Sequence, residues 1–198
     1  MNPAGLEKFL SAQSERFGFS FGIAPIAFET SSEKTIENAL QKLSSEERVA
    51  YRAKRNEKRK QEWLAGRIAA KSALARLLDV KDEQRLVILN GKNRAPFVLS
   101  HPDVTVSISH SNEFAVAVAA HYRIGVDLEH IEKRPPALVN YFFGEQEQNA
   151  LPHDDEEKEK IVSLFWTRKE AASKVVKLGG ALDFKKINVV DDSTLVEY

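Results

Sequence analysis

Two short acidic segments place the strongest constraint on how this chain can fold. GVDLE runs from Gly125 to Glu129, and FWTRKEAASK runs from Phe165 to Lys174. In the first segment, two carboxylates alternate with two apolar residues, so a strand would present both carboxylates on one face and bury the apolar pair. In the second, Glu170 and Lys174 are one helical turn apart and would share a face. A fold that joins the segments would gather three carboxylates and an ammonium, which can bind a hard cation and a phosphate.

Each segment also has an ordinary structural explanation. Alternating acids are commonly the solvated face of a strand. A glutamate and a lysine one turn apart are commonly a weak surface ion pair. Only the fold can decide whether the two segments meet.

The composition indicates a globular protein with a local, not a global, basic site. The 198 residues suffice for one large domain or two small, closely packed ones, and 42% of them are hydrophobic. A formal net charge of zero argues against nucleic acid as a partner. The chain has no cysteine, which excludes disulfides and thiol catalysis. No leader-like N-terminus and no apolar run of ~20 residues is evident, so we expect a cytoplasmic protein without a membrane contact.

Together the two segments closely resemble the paired signature of the 4'-phosphopantetheinyl transferases, in particular the larger monomeric type typified by the surfactin-synthetase activator. These enzymes move the phosphopantetheine arm of coenzyme A to a serine of an acyl or peptidyl carrier protein, and they release 3',5'-ADP. The resemblance extends roughly from Glu46 to Phe184. It implies a magnesium-dependent monomer whose partners are coenzyme A and a carrier protein or carrier domain.

The resemblance also implies the fold class. We expect an α+β pseudodimer of two similar halves, each a helix plus an antiparallel sheet, with the active site in the cleft between them. The order of predicted elements agrees, although the sequence contains no exact repeat. We expect the N-terminal half to span residues 1–130 and to end with a strand over Arg123 to Glu129. The C-terminal half, residues 131–198, would contain the WTRKEAASK helix and a short final sheet.

By the resemblance, Asp127, Glu129 and Glu170 occupy the metal-binding positions, and magnesium is the expected ion. Magnesium prefers oxygen ligands and keeps several waters, which suits carboxylates. The five histidines show no paired spacing typical of a zinc site.

The residues expected to bind coenzyme A are basic or hydroxyl-bearing. The segment LAGRIAAK resembles the family's GR-x-AAK stretch, whose arginine holds phosphates, and it supplies Arg67 and Lys71. The segment VSISHS resembles the family's Ser-His segment and supplies Ser109 and His110. The other expected contacts are Arg59, Lys92, Lys169 and Lys174.

The turn NGKNRAP leaves one of these contacts open. The family usually has a tighter Gly-Lys-Pro at this point, whereas this chain inserts three residues before the proline. Either Lys92 or Arg94 could therefore face the nucleotide.

The resemblance assigns catalysis to Glu170, Lys174 and Glu147. Lys174 would contact the pyrophosphate and stabilise the leaving phosphate. The segment FFGEQE resembles the family's FFS-x-x-E, so Glu147 would complete the acidic cluster or take the proton of the carrier serine. Glu170, acting through water, is the alternative base.

Two other classes of function remain open from the sequence. A non-catalytic module that binds coenzyme A or a nucleotide would keep the basic contacts but would need no three-carboxylate site. Another magnesium-dependent phosphotransferase is also possible, although the chain lacks a glycine loop of the Walker or kinase type.

The basic run RAKRNEKRK, from Arg52 to Lys60, is the candidate surface for the carrier protein. The resemblance implies a carrier that is acidic around its modified serine. Because the chain has no net charge, recognition would need such a local patch. A solubilising helix surface is the alternative interpretation.

Overall fold

The computed structural model describes residues 3–26, 33–91, 93–176, 182–191 and 195–196. The helices are α1 (Pro3–Phe17), α2 (Glu33–Gln41), α3 (Ser45–Arg52), α4 (Glu57–Leu78), α5 (Pro136–Phe142), α6 (Glu145–Asn149) and α7 (Asp155–Val176). The strands are β1 (Ser20–Pro25), β2 (Ile88–Asn90), β3 (Pro96–Val98), β4 (Thr105–Ser111), β5 (Phe114–Ala120), β6 (Ile187–Asn188) and β7 (Leu195–Val196). Two single 3-10 turns cover Glu83–Arg85 and Phe184–Lys186. None of the described helices is both long and apolar enough to cross a membrane.

The central sheet is antiparallel, with the strand order β1-β5-β4. The middle strand, β5, is buried on both faces, and its sequence alternates alanine with valine. Its first three alanines belong to the apolar cluster that contains the buried alanines of α4, whereas Val116, Val118 and Ala120 pack with Leu6 and Leu10 of α1. The small alanines let α4 lie close to the sheet, because an alanine side chain holds the backbones apart least.

The sequence SSEE, from Ser44 to Glu47, predicts a capping box at the start of a helical region, and the structure confirms it. The Ser44 hydroxyl accepts the Glu47 N–H, and the Glu47 carboxylate accepts the Ser44 N–H. The helix that begins there ends at Arg52, however, and does not continue through the basic run. The side chain of Asn56 accepts the Arg59 N–H and so caps α4 as a new helix.

The second half has its own apolar core between α5, α7 and β6. The buried residues of this core are Val139, Phe143, Val162, Phe165, Ile187 and Val189. The sequence predicts one helix from Ala137 to Leu151, but this helix is broken, since Phe143 is extended (φ −101°, ψ 135°) and the Gly144 N–H donates to the Glu147 carboxylate at 2.8 Å as the N-cap of a new helix. The break separates α5 from α6.

The predicted strand over Arg123 to Glu129 is not a strand in the structure. The N–H groups of Val126 and Leu128 donate to the Ser107 and Ser109 hydroxyls, at 3.1 and 3.3 Å, in place of strand carbonyls. The predicted alternation nevertheless holds, because both apolar side chains pack against the cluster beside α1. Serine side chains therefore replace the backbone ladder along this segment.

One close contact occurs in both halves and confirms the predicted two-part α+β class. A Cβ atom added to Gly22 of β1 would lie 2.2 Å from the Ala69 carbonyl oxygen of α4. A Cβ atom added to Gly125 would lie 2.1 Å from the Ala171 carbonyl oxygen of α7. In each half, a long helix thus rests directly on an extended segment at a glycine. The boundary near residue 130 stays a prediction.

Candidate active site

The acidic segment meets α7 at Asp127, so the fold joins the two sequence segments. Lys174 Nζ lies 2.7 Å from Asp127 Oδ1 and also donates to the Val126 carbonyl at 3.0 Å. The Ser109 hydroxyl donates to the same Oδ1 at 2.7 Å. Because the Asp127 side chain is only 6% exposed, this charge-assisted pair lies largely out of water.

The second oxygen of Asp127 differs from the first. Among the described residues, Oδ2 is buried and has no hydrogen-bond partner. An unpaired buried acceptor is costly, and a hard cation is a partner that fits its chemistry.

Glu170 lies on α7, one turn before Lys174, and is half-buried. Burial raises the pKa of its carboxyl group, and the charges of Asp127 and Glu129 raise it further, while Lys174 opposes the change. Burial is the largest cause of this increase, and repulsion of the Glu170 charge by the other two carboxylates adds to it. A bound cation would relieve that repulsion.

Both carboxylate oxygens of Glu129 accept hydrogen bonds from other residues. Oε2 accepts from Arg134 Nη2 at 2.9 Å, and Oε1 accepts from Trp166 Nε1 at 3.2 Å. Within the described ranges, no three histidine, cysteine or acidic side chains are arranged as a ready metal site. Asp127 and Glu170 are therefore the carboxylates that could bind a hard cation, and Glu129 would have to exchange a partner to join them.

A basic pocket of about 470 Å³ lies beside this cluster. Its basic lining residues are Lys54, Arg59, Arg67, Arg94 and His110. In the described lining, Glu62 is the single acid. This charge distribution fits a ligand that carries several negative charges.

Arg67 is the most deeply placed cation of the basic pocket, at 4% exposure. Its Nη2 donates to the Asn90 side chain, and its guanidinium lies 4.8 Å from the centre of the Trp63 ring. Burial lowers the pKa of Arg67 to about 10, against an opposing effect of Glu47, so the group stays charged at neutral pH. Its Nε is buried without a partner among the described residues, which leaves a donor for an anion.

A smaller pocket of about 330 Å³ joins the basic pocket to the acidic cluster. Glu170 and Lys174 line it, and it shares Arg94, Pro96 and Ile108 with the basic pocket. Arg94 has a positive φ of 60°, in the turn between β2 and β3. Arg94 thus lines both pockets, whereas the predicted contact Lys92 lies outside the described residues.

Lys71 is not in the site, which contradicts its predicted contact with coenzyme A. Its ammonium lies 2.8 Å from Glu47 Oε2 and donates to the Glu83 and Leu86 carbonyls at 2.8 Å each. The side chain is fully buried, and all three hydrogens of its ammonium group are donated to acceptors inside the protein.

Lys169 and Glu147 form a second buried ion pair, at 2.7 Å, which contradicts both of their predicted roles. Lys169 also donates to the Phe184 and Ile187 carbonyls. Glu147 is 1% exposed, so it can reach neither a metal in the cleft nor the serine of a carrier protein.

The remaining predicted residues divide between the two pockets. Arg59 and His110 line the basic pocket, and Lys174 lines the smaller one. Ser109 is buried and gives its single proton to Asp127, so it supports the acidic segment and has no second proton for a phosphate.

Sequence reasoning missed Lys54 and Arg134. Lys54 belongs to the basic run, but the chain turns before α4 and brings Lys54 to the pocket. Asn56 was the available signal, since asparagine favours a helix N-cap. Arg134 had no helical or strand spacing to mark it, because its ion pair with Glu129 spans an irregular segment and its ring contact with Trp166 joins distant parts of the chain.

Comparison with protein families decides the relationship. A model described as the 4'-phosphopantetheinyl transferase N-terminal domain matches residues 45–120. A model described as the 4'-phosphopantetheinyl transferase superfamily matches residues 123–198, so that the two together cover well over half of the chain. The chain belongs to the 4'-phosphopantetheinyl transferase superfamily.

Curated relatives carry the same family name. Over 139 residues the chain is 28% identical to the 4'-phosphopantetheinyl transferase gsp of Aneurinibacillus migulanus, covering 69% of this chain and 57% of the relative. Over 164 residues it is 29% identical to the putative 4'-phosphopantetheinyl transferase slr0495 of Synechocystis, covering 79% and 65%. The chain thus spans less than two thirds of the length of these two relatives.

Two solved structures are similar to about half of the chain. One is a holo-(acyl-carrier-protein) synthase from Bacillus anthracis in complex with CoA (3',5'-ADP), with 26% identity, a TM-score of 0.44 and coverage of 51% of this chain and 91% of that one. The other is the Helicobacter pylori holo-[acyl-carrier-protein] synthase in complex with coenzyme A, with 23% identity, a TM-score of 0.42 and coverage of 52% and 97%.

Proposed function

We propose that this chain transfers the 4'-phosphopantetheine arm of coenzyme A to a serine of an apo acyl or peptidyl carrier protein. One observation carries the proposal: a basic pocket is joined, through residues lining both, to a pocket that contains Glu170 and Lys174. Coenzyme A has the matching charge distribution, because its nucleotide end carries a 3'-phosphate and its other phosphates lead to the neutral pantetheine arm.

The nucleotide of coenzyme A would occupy the basic pocket. Arg67 offers an unpaired buried N–H there, and Arg59 and His110 line the same space. Arg94 lines both pockets and would contact the pyrophosphate where it passes from one to the other.

Asp127 and Glu170, with Glu129 after it exchanges a partner, would hold a magnesium ion. The unpaired Asp127 Oδ2 supports this assignment, and so does the pKa of Glu170, which burial raises and the charges of Asp127 and Glu129 raise further. When bound, magnesium would neutralise pyrophosphate charge and polarise the phosphate next to pantetheine.

The transfer itself needs no covalent intermediate on the enzyme. The carrier serine oxygen forms a bond to the phosphorus next to pantetheine, and the bond from that phosphorus to the bridging oxygen of the pyrophosphate breaks. Lys174 keeps one N–H beyond its two internal partners and would stabilise the charge of the departing 3',5'-ADP. Glu170, acting through water, would accept the serine proton.

We also propose that the enzyme acts as a monomer in the cytoplasm. Residues from both parts of one chain supply the two pockets, so a second copy is not needed to complete the site. The absence of cysteine from the sequence suits a reducing compartment.

A transfer assay tests the proposal. The protein is incubated with coenzyme A, magnesium and an apo carrier protein, and the carrier is analysed by intact-mass spectrometry. The expected result is a mass gain of one phosphopantetheine group on the carrier, with one 3',5'-ADP released for each group transferred. A carrier whose acceptor serine is replaced by alanine is the control and should gain nothing.

Binding without transfer would contradict the proposal. If calorimetry shows that coenzyme A binds but no acyl or peptidyl carrier protein gains mass with either magnesium or manganese, the chain is a binding module instead. That was the first alternative left open by the sequence.

A further inference from the structure

Two buried ion pairs occupy corresponding places in the two halves. The first clamp is the Glu47–Lys71 pair, at 2.8 Å, and the second clamp is the Glu147–Lys169 pair, at 2.7 Å. All four side chains are at most 2% exposed. The mechanism proposed above uses none of these residues directly.

The glutamates of the two clamps have the same local setting. Each is the third residue of a short helix and accepts the N–H of the capping residue, Ser44 or Gly144. The other oxygen of each glutamate accepts a backbone N–H at a short strand of its own half: Ile88 of β2 donates to Glu47 at 3.3 Å, and Val189, which follows β6, donates to Glu147 at 3.2 Å.

The lysines of the two clamps also have matching partners. Each comes from a long helix, α4 or α7, and donates to two backbone carbonyls at a 3-10 turn. The first clamp uses Glu83 and Leu86, and the second uses Phe184 and Ile187. Each clamp therefore joins the short helix, the long helix and the turn of its own half.

A clamp of this kind fixes the rotation of the long helix about its axis. The ammonium has three acceptors from three directions, so its helix can neither turn nor slide without breaking a charge-assisted hydrogen bond. On α4, Lys71 lies one turn after Arg67, which faces the basic pocket. On α7, Lys169 is adjacent to Glu170 and precedes Lys174, which face the smaller pocket.

We infer that the two clamps are positioning devices with separate duties in the reaction. The first clamp holds Arg67 in the orientation that binds the phosphates of coenzyme A. The second clamp holds Glu170 and Lys174 in the orientation that binds the cation and stabilises the leaving group. This inference rests on the proposed function, because it assigns the two duties to the two ends of the coenzyme A site.

Stability alone does not require a buried ion pair in each half. Replacing such a pair by apolar residues of similar volume is often neutral or stabilising, because desolvating two charges costs about as much as their attraction returns. Contacts between apolar side chains have no preferred direction, whereas hydrogen bonds do. The hydrogen bonds of each clamp can therefore hold the long helix in one orientation relative to the short helix and the turn.

Matched double variants separate the two duties. Glu47→Gln with Lys71→Met removes the first clamp, and Glu147→Gln with Lys169→Met removes the second, without leaving an unpaired charge in either case. Calorimetry would measure the Kd for coenzyme A and for Mn²⁺, and the transfer assay would give kcat. Each double variant is the control for the other, because both lose an equivalent buried pair.

The first double variant should weaken coenzyme A binding roughly tenfold and keep kcat and Mn²⁺ affinity within about twofold of wild type. The second should lower kcat and Mn²⁺ affinity by roughly 10–100-fold, the usual cost of losing an outer partner of a metal ligand, and leave coenzyme A binding within about threefold. Circular dichroism and the Tm would confirm that both variants are folded.

The same change of Kd and kcat in both double variants would overturn the inference, as would a lowered Tm with unchanged Kd and kcat in both. If a double variant does not fold, the single Glu47→Asp and Glu147→Asp variants keep both charges of each pair and the two carbonyl partners of each lysine, and they should show the same division at smaller size. Failure of the wild-type protein to bind coenzyme A or to modify a carrier would instead contradict the proposed function.

Discussion

Asp127 divides its two carboxylate oxygens between support and chemistry. Oδ1 is held by Lys174 and by the Ser109 hydroxyl, each at 2.7 Å, which fixes the direction of the side chain. In the described part of the chain, Oδ2 is left without a partner. A carboxylate that is held by one oxygen and open at the other is prepared to bind a cation with little loss of side-chain freedom.

Glu170 should destabilise the folded protein near neutral pH when no divalent cation is present. Its folded-state pKa lies above the unfolded value of about 4.3. Ionising Glu170 therefore costs more in the folded state than in the unfolded state, and the free energy of unfolding falls as the pH rises through that range. We predict that Glu170→Gln raises the Tm at pH 7 in a chelator and leaves it unchanged at about pH 4, where both states are mostly protonated. Thermal melts at the two pH values measure this.

Magnesium supplies the control for that experiment. Added magnesium should raise the Tm of the wild-type protein and have a much smaller effect on Glu170→Gln, because a ligand that binds only the folded state stabilises it. A variant that melts below the wild type at pH 7 in a chelator would contradict the raised pKa.

The sequence predicts some site residues well and others poorly, for a physical reason. Asp127 and Lys174 form the expected contact, and both lie in segments whose sequences resemble the motifs of the family. Lys71 and Lys169 also lie in such segments, yet both lysines form buried ion pairs and do not reach the site. The position of a lysine on a helix indicates which way its side chain points, but not whether a carboxylate from a distant part of the chain will pair with it. Whether the lysine is buried depends on that tertiary partner.

At the scale of elements, the contact between α7 and the segment before Asp127 sets the geometry of the site. The helix touches the extended chain at Gly125, where a side chain would meet the Ala171 carbonyl oxygen at 2.1 Å. Backbone atoms cannot move aside as a flexible side chain can. The position of Lys174 relative to Asp127 therefore depends on this glycine.

We predict that Gly125→Ala destabilises the protein and lowers its transfer activity together. Overpacking of this kind costs typically 1–3 kcal/mol, and each kcal/mol lowers the Tm by about 2–4 °C in a chain of this size. Separation of α7 from the segment should also reduce kcat, because small displacements of reacting groups are expensive. Thermal melts and steady-state kinetics measure the two effects.

Gly91→Ala is the matched control for the glycine prediction. An added Cβ there has its nearest neighbour at 3.7 Å, an ordinary contact, so its effect on the Tm should be slight. Equal effects of the two substitutions would show that the tight contact at Gly125 does not govern the site.

Elements with a complete local signal could be predicted, and those that depend on side-chain partners could not. The alternating pattern over Phe114–Ala120 predicts a strand, and Ser44 with Glu47 predicts a capping box; the structure confirms both. The strand expected over Arg123 to Glu129 fails, because its N–H groups bond to the serine hydroxyls of β4. The sequence shows alternation but not the acceptor that each N–H will find.

At the scale of the whole molecule, a net charge of zero hides a strongly uneven distribution. The basic run predicted to meet the carrier protein is divided by the turn before α4. Lys54 lines the basic pocket, whereas Arg55 is exposed and lies outside that lining. The two neighbours should therefore serve different substrates.

We predict that Lys54→Glu raises the KM for coenzyme A, whereas Arg55→Glu raises the KM for an acidic carrier protein and spares that for coenzyme A. The effect of Arg55→Glu should fade as salt rises, since the screening length is ~8 Å at physiological ionic strength. Steady-state kinetics with each substrate varied in turn, at low and high salt, measure both. Equal effects of the two variants on both substrates would mean that the run acts as one surface.

The central claim is that the phosphates of coenzyme A are divided between two joined pockets, with the cation at only one of them. Phosphorus NMR of coenzyme A bound to the protein, with Mn²⁺ in place of Mg²⁺, tests this most directly, because paramagnetic broadening falls steeply with distance from the ion. The account predicts that the two pyrophosphate signals broaden strongly and the 3'-phosphate signal much less, and that Asp127→Asn abolishes the difference. Equal broadening of all three signals in the wild-type protein, or the strongest broadening at the 3'-phosphate, would contradict the account.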